Sequence, residues 1–308
     1  MAAQAPVAAA RIRVRVPATS ANLGPGFDVL GLALALHNEV TLEEAAGISV
    51  SIEGEGADHL DRGERNLVVR GVRSVYERLG RPFRGVRIAC VNRIPTGRGL
   101  GSSAAAWLGG IVGANALLGG PLDRDTLLAL AAGGEGHPDN AAAALLGGLT
   151  VACWSGRKVL ALSLPVPAEI QWVVLIPEVQ GSTAEARAVL PQTVSRADAV
   201  FNLQRLGLLL AALGAGRADL LTVAMEDRLH QPYRGGLFPW MERVAAAAGS
   251  AGSLGCALSG AGPSLLAAVG KGADNVARAM ESALRESGIR GRAVVLGVDP
   301  VGTVWEAA

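Results

Sequence analysis

The chain has 308 residues, half of them hydrophobic and 18% charged, a length and balance that suit two packed domains and exclude a disordered protein. Its formal net charge is +1, with no basic cluster and no aromatic-spaced basic stripe, so nucleic-acid binding has no footprint. Cys90, Cys153 and Cys256 are odd in number, far apart and without a CxxC pair, which argues against a disulfide framework or a cysteine zinc site.

From the amino end, residues 1–10 read as a loose tail without the charged start and long apolar region of a signal peptide. Ile12, Val14 and Val16 alternate with Arg11, Arg13 and Arg15, the pattern of a strand with one wet face. A Gly/Pro-rich loop over 19–28 follows, then strands over 29–36, 39–43 and 48–53. Leu67, Val68, Val72, Val75, Tyr76 and Leu79 recur at helical spacing, with Asn66 placed as the cap. A strand over 86–91 runs into a second Gly-rich loop, 95–103, and an Ala-rich helix from about 102 to 118. Two more helices are predicted over 123–132 and 138–146. Apolar runs such as 141–153 are broken by Gly147 and Gly148, so none spans a bilayer, and a soluble cytoplasmic protein is expected.

Pro165 and Pro167 mark a linker over 162–168. Beyond it a strand over 171–176 leads into helical stretches up to about 248. Then come a strand over 254–258, a turn over 259–263, a strand over 264–269, a helix over 273–287 and a strand over 293–298. That order fits a split βαβ, ferredoxin-like half. The expected fold class is α+β, with domains at 1–165 and 166–308 and a cleft between them.

The strongest chemical signal is the run Pro95, Thr96, Gly97, Arg98, Gly99, Leu100, Gly101, Ser102, Ser103, leading into Ala104. Glycines at 97, 99 and 101 let the backbone approach an anion, and a helix opening after them points unpaired N–H groups at it. The hydroxyls of Ser102 and Ser103 can bond a phosphate oxygen or a magnesium ion. The bland alternative is a tight strand-to-helix connection. No Walker lysine follows, and no protein-kinase HRD or DFG string occurs.

Residues 17–31 form the second signal, in which Gly24, Pro25 and Gly26 force a turn that brings Asn22 and Asp28 together. An amide beside a carboxylate suits a ligand with hydroxyl and ammonium groups, although both side chains could simply bond the turn's own backbone. In Glu135-Gly-His-Pro-Asp-Asn140, Pro138 suits a first helical position and Asp139 the first turn. Taken alone, a His near a helix start such as His137 is ordinarily structural. Arg187 and Arg234 sit in the segments 183–191 and 227–234; arginine reads carboxylates through paired hydrogen bonds, but in an Arg-rich chain a lone one is ordinarily solvated. The turn 259–264, which contains Gly260, reads as a hairpin connection.

The loop Pro-x-Gly-x-Gly-Leu-Gly-Ser-Ser-Ala-Ala resembles the ATP loop of the GHMP kinases. The strings at 17–31, 135–140, 183–191 and 227–234 are similar to those of the homoserine-phosphorylating branch of that family, and all five lie in the family's order. The resemblance implies a ribosomal-protein-S5-domain-2-like amino half and a ferredoxin-like carboxyl half. It implies transfer of phosphate from ATP to the side-chain hydroxyl of L-homoserine, a step of threonine biosynthesis. Magnesium would be held by Glu135 and by Ser103 or Ser102, and the ATP phosphates by Pro95 and residues 97–104. Asn22, Asp28, His137, Arg187, Arg234 and the Gly260 turn would hold the amino acid. Family members often carry another Glu two positions before Glu135, where this chain has Gly133. Asp139 and Asn140 occupy the segment where several GHMP kinases carry a catalytic Asp, whereas the homoserine branch is described as lacking a well-placed base, so the base stays open. A homodimer is typical of the family, though nothing in the residues shows it. Another GHMP kinase, or a non-catalytic sensor on the same fold, are the readings an assay separates.

Overall fold

The computed structural model describes residues 11–308. β1 (Arg11–Asn22) exposes its arginines and buries Ile12, Val14 and Val16 as the alternation requires, then turns fully buried as it enters the cleft. It pairs along its length with the long β2 (Gly26–Glu44). β3 (Gly47–Gly54), α1 (Leu67–Arg78) and β4 (Gly85–Asn92) make a crossover unit, which is why β3 and β4 are parallel in an otherwise antiparallel sheet. The Asn66 side chain caps α1 by accepting from the Val68 N–H.

α2 (Ser102–Leu117), α3 (Arg124–Glu135) and α4 (Asp139–Leu146) follow, then the hairpin β5 (Leu149–Ser155) and β6 (Lys158–Leu164), which extends the sheet from β2. α2 packs against both α1 and α4, and α2 and α4 lie on β1 and β2, around Val14, Leu32, Leu42, Leu108 and Ile111.

The second half contains β7 (Gln171–Pro177), α5 (Thr183–Ala188), α6 (Arg196–Gly214), α7 (Leu221–Ala224), α8 (Gln231–Arg234) and α9 (Met241–Ser250). It continues through β8 (Gly255–Leu258), β9 (Leu265–Val269), α10 (Ala273–Glu286) and β10 (Gly291–Leu296). Its sheet runs β10-β7-β9-β8, all antiparallel, the order of a split βαβ and the one expected. β7 is buried on both faces: Val173 and Leu175 meet the α9 and α10 core, while Trp172, Val174 and Ile176 join the larger core that the first half shares with α6 and α7. That strand therefore lies between the two cores.

Several elements differ from the sequence reading. The strands expected over 29–36 and 39–43 are one strand, because a bulge opposite Pro17 takes up the irregularity: Pro17 faces His37, but Ala18 faces Leu34. The linker begins only after Leu164, since Leu162 and Ser163 still pair with β5. The hairpin β5–β6 and the final strand β11 (Val304–Ala307) were not anticipated; β11 pairs with β1. The chain therefore crosses back at its end, and residues 304–307 of the expected second unit lie on the first sheet. Among the described residues no helix is long and apolar enough to cross a membrane.

Leu100 is 1% exposed and plugs the middle of the Gly-rich loop into the core. Leu100→Ala is expected to cost about 2–5 kcal/mol in denaturant unfolding. Leu162→Ala, at a side chain 71% exposed, should stay within about 0.5 kcal/mol.

Candidate active site

The loop after β4 enters α2 through Gly101, which sits at φ 69° as the helix N-cap. A Cβ there would lie 1.9 Å from Thr19 Oγ1, and one on Gly99 would lie 2.2 Å from the Ser259 carbonyl oxygen, so neither position has room for a side chain. No side chain caps α2, which leaves its first-turn N–H groups open to a ligand. Pro95, Gly97, Arg98, Gly99, Leu100, Gly101, Ser102 and Ser103 all line one cleft, whereas Ala104 is fully buried beneath it. The Arg98 side chain braces the loop: its guanidinium donates to the carbonyls of Thr96 (3.1 Å) and Glu178 (2.7 Å), and Gly181 N–H donates to the Gly97 carbonyl (2.8 Å).

The opposite wall is built from the β1–β2 turn and the second half. Among the described residues, the non-glycine positions at positive φ are Asn22, Leu23 and Asp28, all in this turn, and such strain persists only where surroundings hold it. Asn22 accepts from the Asp28 N–H (3.1 Å) and donates to the Gly260 carbonyl (3.0 Å). The same carbonyl accepts from Arg234 Nη1 (2.9 Å), and Gly260 N–H donates to the Ala21 carbonyl (3.0 Å). Arg187, in the last turn of α5, forms a two-pronged pair with Asp28 at 3.0 and 2.7 Å, which raises the guanidinium pKa. Arg234 is 2% exposed; burial, then the neighbouring Arg187 charge, pushes it down to about 10, so it stays cationic at neutral pH. Both guanidiniums lie over the Phe27 ring, at 5.6 and 5.4 Å.

Glu135 ends α3, where Gly136 in the left-handed region stops the helix, and Asp139 opens α4. The Ser103 hydroxyl donates to Glu135 Oε1, so a hydroxyl and a carboxylate oxygen meet at the start of α2. That pair of hard oxygen donors fits a magnesium ion. Burial raises the Glu135 pKa against the opposing Ser103 hydrogen bond. Gly133 is exposed with open space around it, so Glu135 is the carboxylate that reaches the loop. Asp139, 2% exposed, accepts at Oδ1 from His137 Nδ1 (2.7 Å) and from the Asn140 backbone N–H (2.7 Å). Burial pulls the His137 pKa down, but the Asp139 hydrogen bond and charge outweigh it and the pKa is raised. Asp28, His137 and Asp139 also bring ligand-type atoms within 4.8 Å of one another, but Arg187 already occupies the Asp28 carboxylate.

Every residue predicted for the site, Ala104 apart, therefore lines a single cleft. Sequence reasoning missed its supports. Thr19 donates to Asn140 Oδ1 (2.7 Å) through its hydroxyl and to the Leu100 carbonyl (3.1 Å) through its N–H, joining α4 to the Gly-rich loop. Ser259 donates to the Gly99 carbonyl (2.7 Å). Both lie inside motifs already singled out, so proximity in sequence was the available signal. Also missed was a cavity of about 370 Å³ beside Ser102 and Ser103, lined by Val40, Ile52, Leu60, Val68 and Cys90 among others. Its residues come from β2, β3, α1 and β4, with no spacing that sequence alone reveals.

The chain matches the family model for the GHMP kinase N-terminal domain over residues 66–148 and the one for the GHMP kinase C-terminal domain over 209–286. A homoserine kinase of Moorella thermoacetica is 47% identical over 277 residues, covering 90% of this chain and 94% of that one. A homoserine kinase of Symbiobacterium thermophilum is 51% identical, covering 92% and 91%. The crystal structure of homoserine kinase from Cytophaga hutchinsonii superposes with a TM-score of 0.87 at 32% identity, over 99% of this chain and all of that one. At 17% identity, mevalonate kinase of L. major shares the fold with a TM-score of 0.66. With sequence kinship across nine-tenths of the chain and a fold to match, this chain belongs to the homoserine kinases of the GHMP kinase family.

Proposed function

We propose that the chain transfers the γ-phosphoryl group of ATP to the side-chain hydroxyl of L-homoserine, giving O-phospho-L-homoserine and ADP. One observation carries this reading: the uncapped start of α2 and the Asp28, Arg187 and Arg234 charges face one another across a single cleft. A polyphosphate suits the first, and a zwitterion suits the second.

In this reading the amides of 97–104 hold the phosphates, and the neighbouring apolar cavity takes the nucleoside. Arg187 and Arg234 bind the amino-acid carboxylate and Asp28 its ammonium, with Asn22, His137 and the Gly260 carbonyl completing the seat. Ser103 and Glu135 would hold magnesium, which supplies charge neutralisation on the phosphates when bound. Phosphoryl transfer has a loose transition state, so positioning and charge stabilisation carry most of the acceleration. Asp139 already accepts from His137 and Asn140 at one oxygen. We therefore assign Asp139 and Asn140 to orienting the cleft and not to removing the substrate proton.

Without ligand, Asp28 and Arg187 neutralise each other. A zwitterion replaces that pair with two new ones, whereas a ligand with one charge strands a partner. Purified protein with magnesium and ATP is therefore expected to release ADP with L-homoserine. It should turn over 4-hydroxybutyrate, which lacks the ammonium, and 3-aminopropan-1-ol, which lacks the carboxylate, at least ~100-fold less well by kcat/KM. No homoserine-dependent ADP release would end this reading.

Arg187→Ala should raise the homoserine KM by about 10–100-fold and leave the ATP KM within about twofold. Equal changes in both would remove Arg187 from the amino-acid seat.

Glu135 binds a cation only when ionised, and its folded pKa is raised, so protonation on acidification begins above the ordinary carboxylate range. Titrating magnesium at saturating ATP and homoserine should show apparent metal affinity falling as pH drops into that range. Glu135→Gln should need more magnesium throughout and lack that fall.

A further inference from the structure

We propose that His230 is a positioning residue, which holds the Arg234 guanidinium for the substrate carboxylate by presenting a bare ring nitrogen to it. The inference rests on the reading above that Arg234 binds that carboxylate.

The contacts of the imidazole leave it one protonation state. His230 Nε2 lies 2.8 Å from the Gly24 carbonyl oxygen, which can only accept, so this nitrogen carries the proton. Nδ1 lies 3.1 Å from Arg234 Nη1, and a guanidinium can only donate, so this nitrogen presents its lone pair. A proton on Nδ1 would set N–H against N–H. The ring is fully buried and stacks on Phe27 at 5.3 Å. Burial also holds the imidazole below its usual pKa against the pull of the Asp227 carboxylate 3.4 Å away. Asp227 itself is occupied by Asn202 Nδ2 and by the N–H groups of Leu229, His230 and Gln231.

Arg234 needs such a partner. Its Nε donates to the Ala186 carbonyl (3.1 Å), and its Nη1 divides between the Gly260 carbonyl and His230. Among the described residues Nη2 has no partner, and Arg234 lines the cleft, so Nη2 is the donor left for a ligand. With three anchors the fork is fixed in plane. With the histidine anchor lost, only the Nε bond to Ala186 and one Nη1 bond to Gly260 hold the fork, and the second Nη1 hydrogen has no acceptor. Gly24 and Phe27 belong to the first half of the chain and Arg234 to the second, so the imidazole also registers the two walls of the cleft.

Glutamine and asparagine separate the two nitrogens: glutamine keeps a polar group near Nε2 and loses the Nδ1 acceptor, while asparagine keeps an acceptor near Nδ1. His230→Gln is expected to raise the homoserine KM about tenfold or more, with the ATP KM and kcat within about twofold. His230→Asn should stay within about threefold of wild type, and in an Arg234→Ala background His230→Gln should have almost no further effect. Equal losses in the two single variants, or an undiminished effect without Arg234, would overturn the proposal. If the variants do not fold, the 15N shifts of the four histidines in labelled wild-type protein decide it: His230 must show the neutral Nε2–H tautomer, and a proton on Nδ1 rules the proposal out. Wild-type protein inert toward homoserine would instead sink the parent reading, whatever the His230 variants do.

Discussion

The cleft depends on one peptide unit. Gly260, in the turn between β8 and β9, donates its N–H to Ala21 and accepts at its carbonyl from Asn22 and Arg234. Around it, three Gly-rich turns from distant parts of the chain pack backbone to backbone. Ser259 holds the Gly99 carbonyl, and Gly99 has no space for a Cβ because the Ser259 carbonyl stands there. Backbone groups buried this closely must find hydrogen-bond partners, and here each turn supplies them for the next. The Gly-rich loop is thus held by its neighbours' hydrogen bonds, and electrostatic stabilisation at a helix start works best from such a prearranged backbone.

Charge is handled on the same principle of prior pairing. Arg234 is a buried cation held by backbone carbonyls, a neutral imidazole and an aromatic face, and its nearest charged competitor, Arg187, is itself neutralised by Asp28. An unpaired guanidinium at this depth would be strongly unfavourable; several partial partners leave it charged yet with a donor to spare. Asp139, Asn140 and Thr19 form a comparable chain on the α4 side and end at the Leu100 carbonyl beneath the loop. Both polar networks bond the same Gly-rich loop, at the Gly99 and Leu100 carbonyls.

Much of this was legible from local pattern. The alternating arginines of β1, the helical spacing of α1 with its Asn66 cap, and the β8–β9–α10–β10 succession are all signals that short stretches carry by themselves. The hairpin β5–β6 and the strand β11 escaped notice because their burial is set by neighbours: Leu160 and Leu162 are exposed in a strand, and β11 is a strand only because β1 offers it an edge. Motif residues were found because backbone demands imprint themselves on sequence, as Gly99 and Gly101 do. The supports Thr19, Ser259 and His230 were passed over, since a hydroxyl or imidazole in a motif has no visible partner until the fold supplies one.

By itself, then, the chain's sequence determined where its turns, helix starts and most of its strands lie, because those follow from steric and hydrogen-bond rules acting over a few residues. Tertiary structure alone decided which side chains pair. Arg187 meets Asp28 across 159 positions and His230 meets Gly24 across 206. A charge's partner and a histidine's proton are set by distance and burial in space, and neither quantity is written in local spacing.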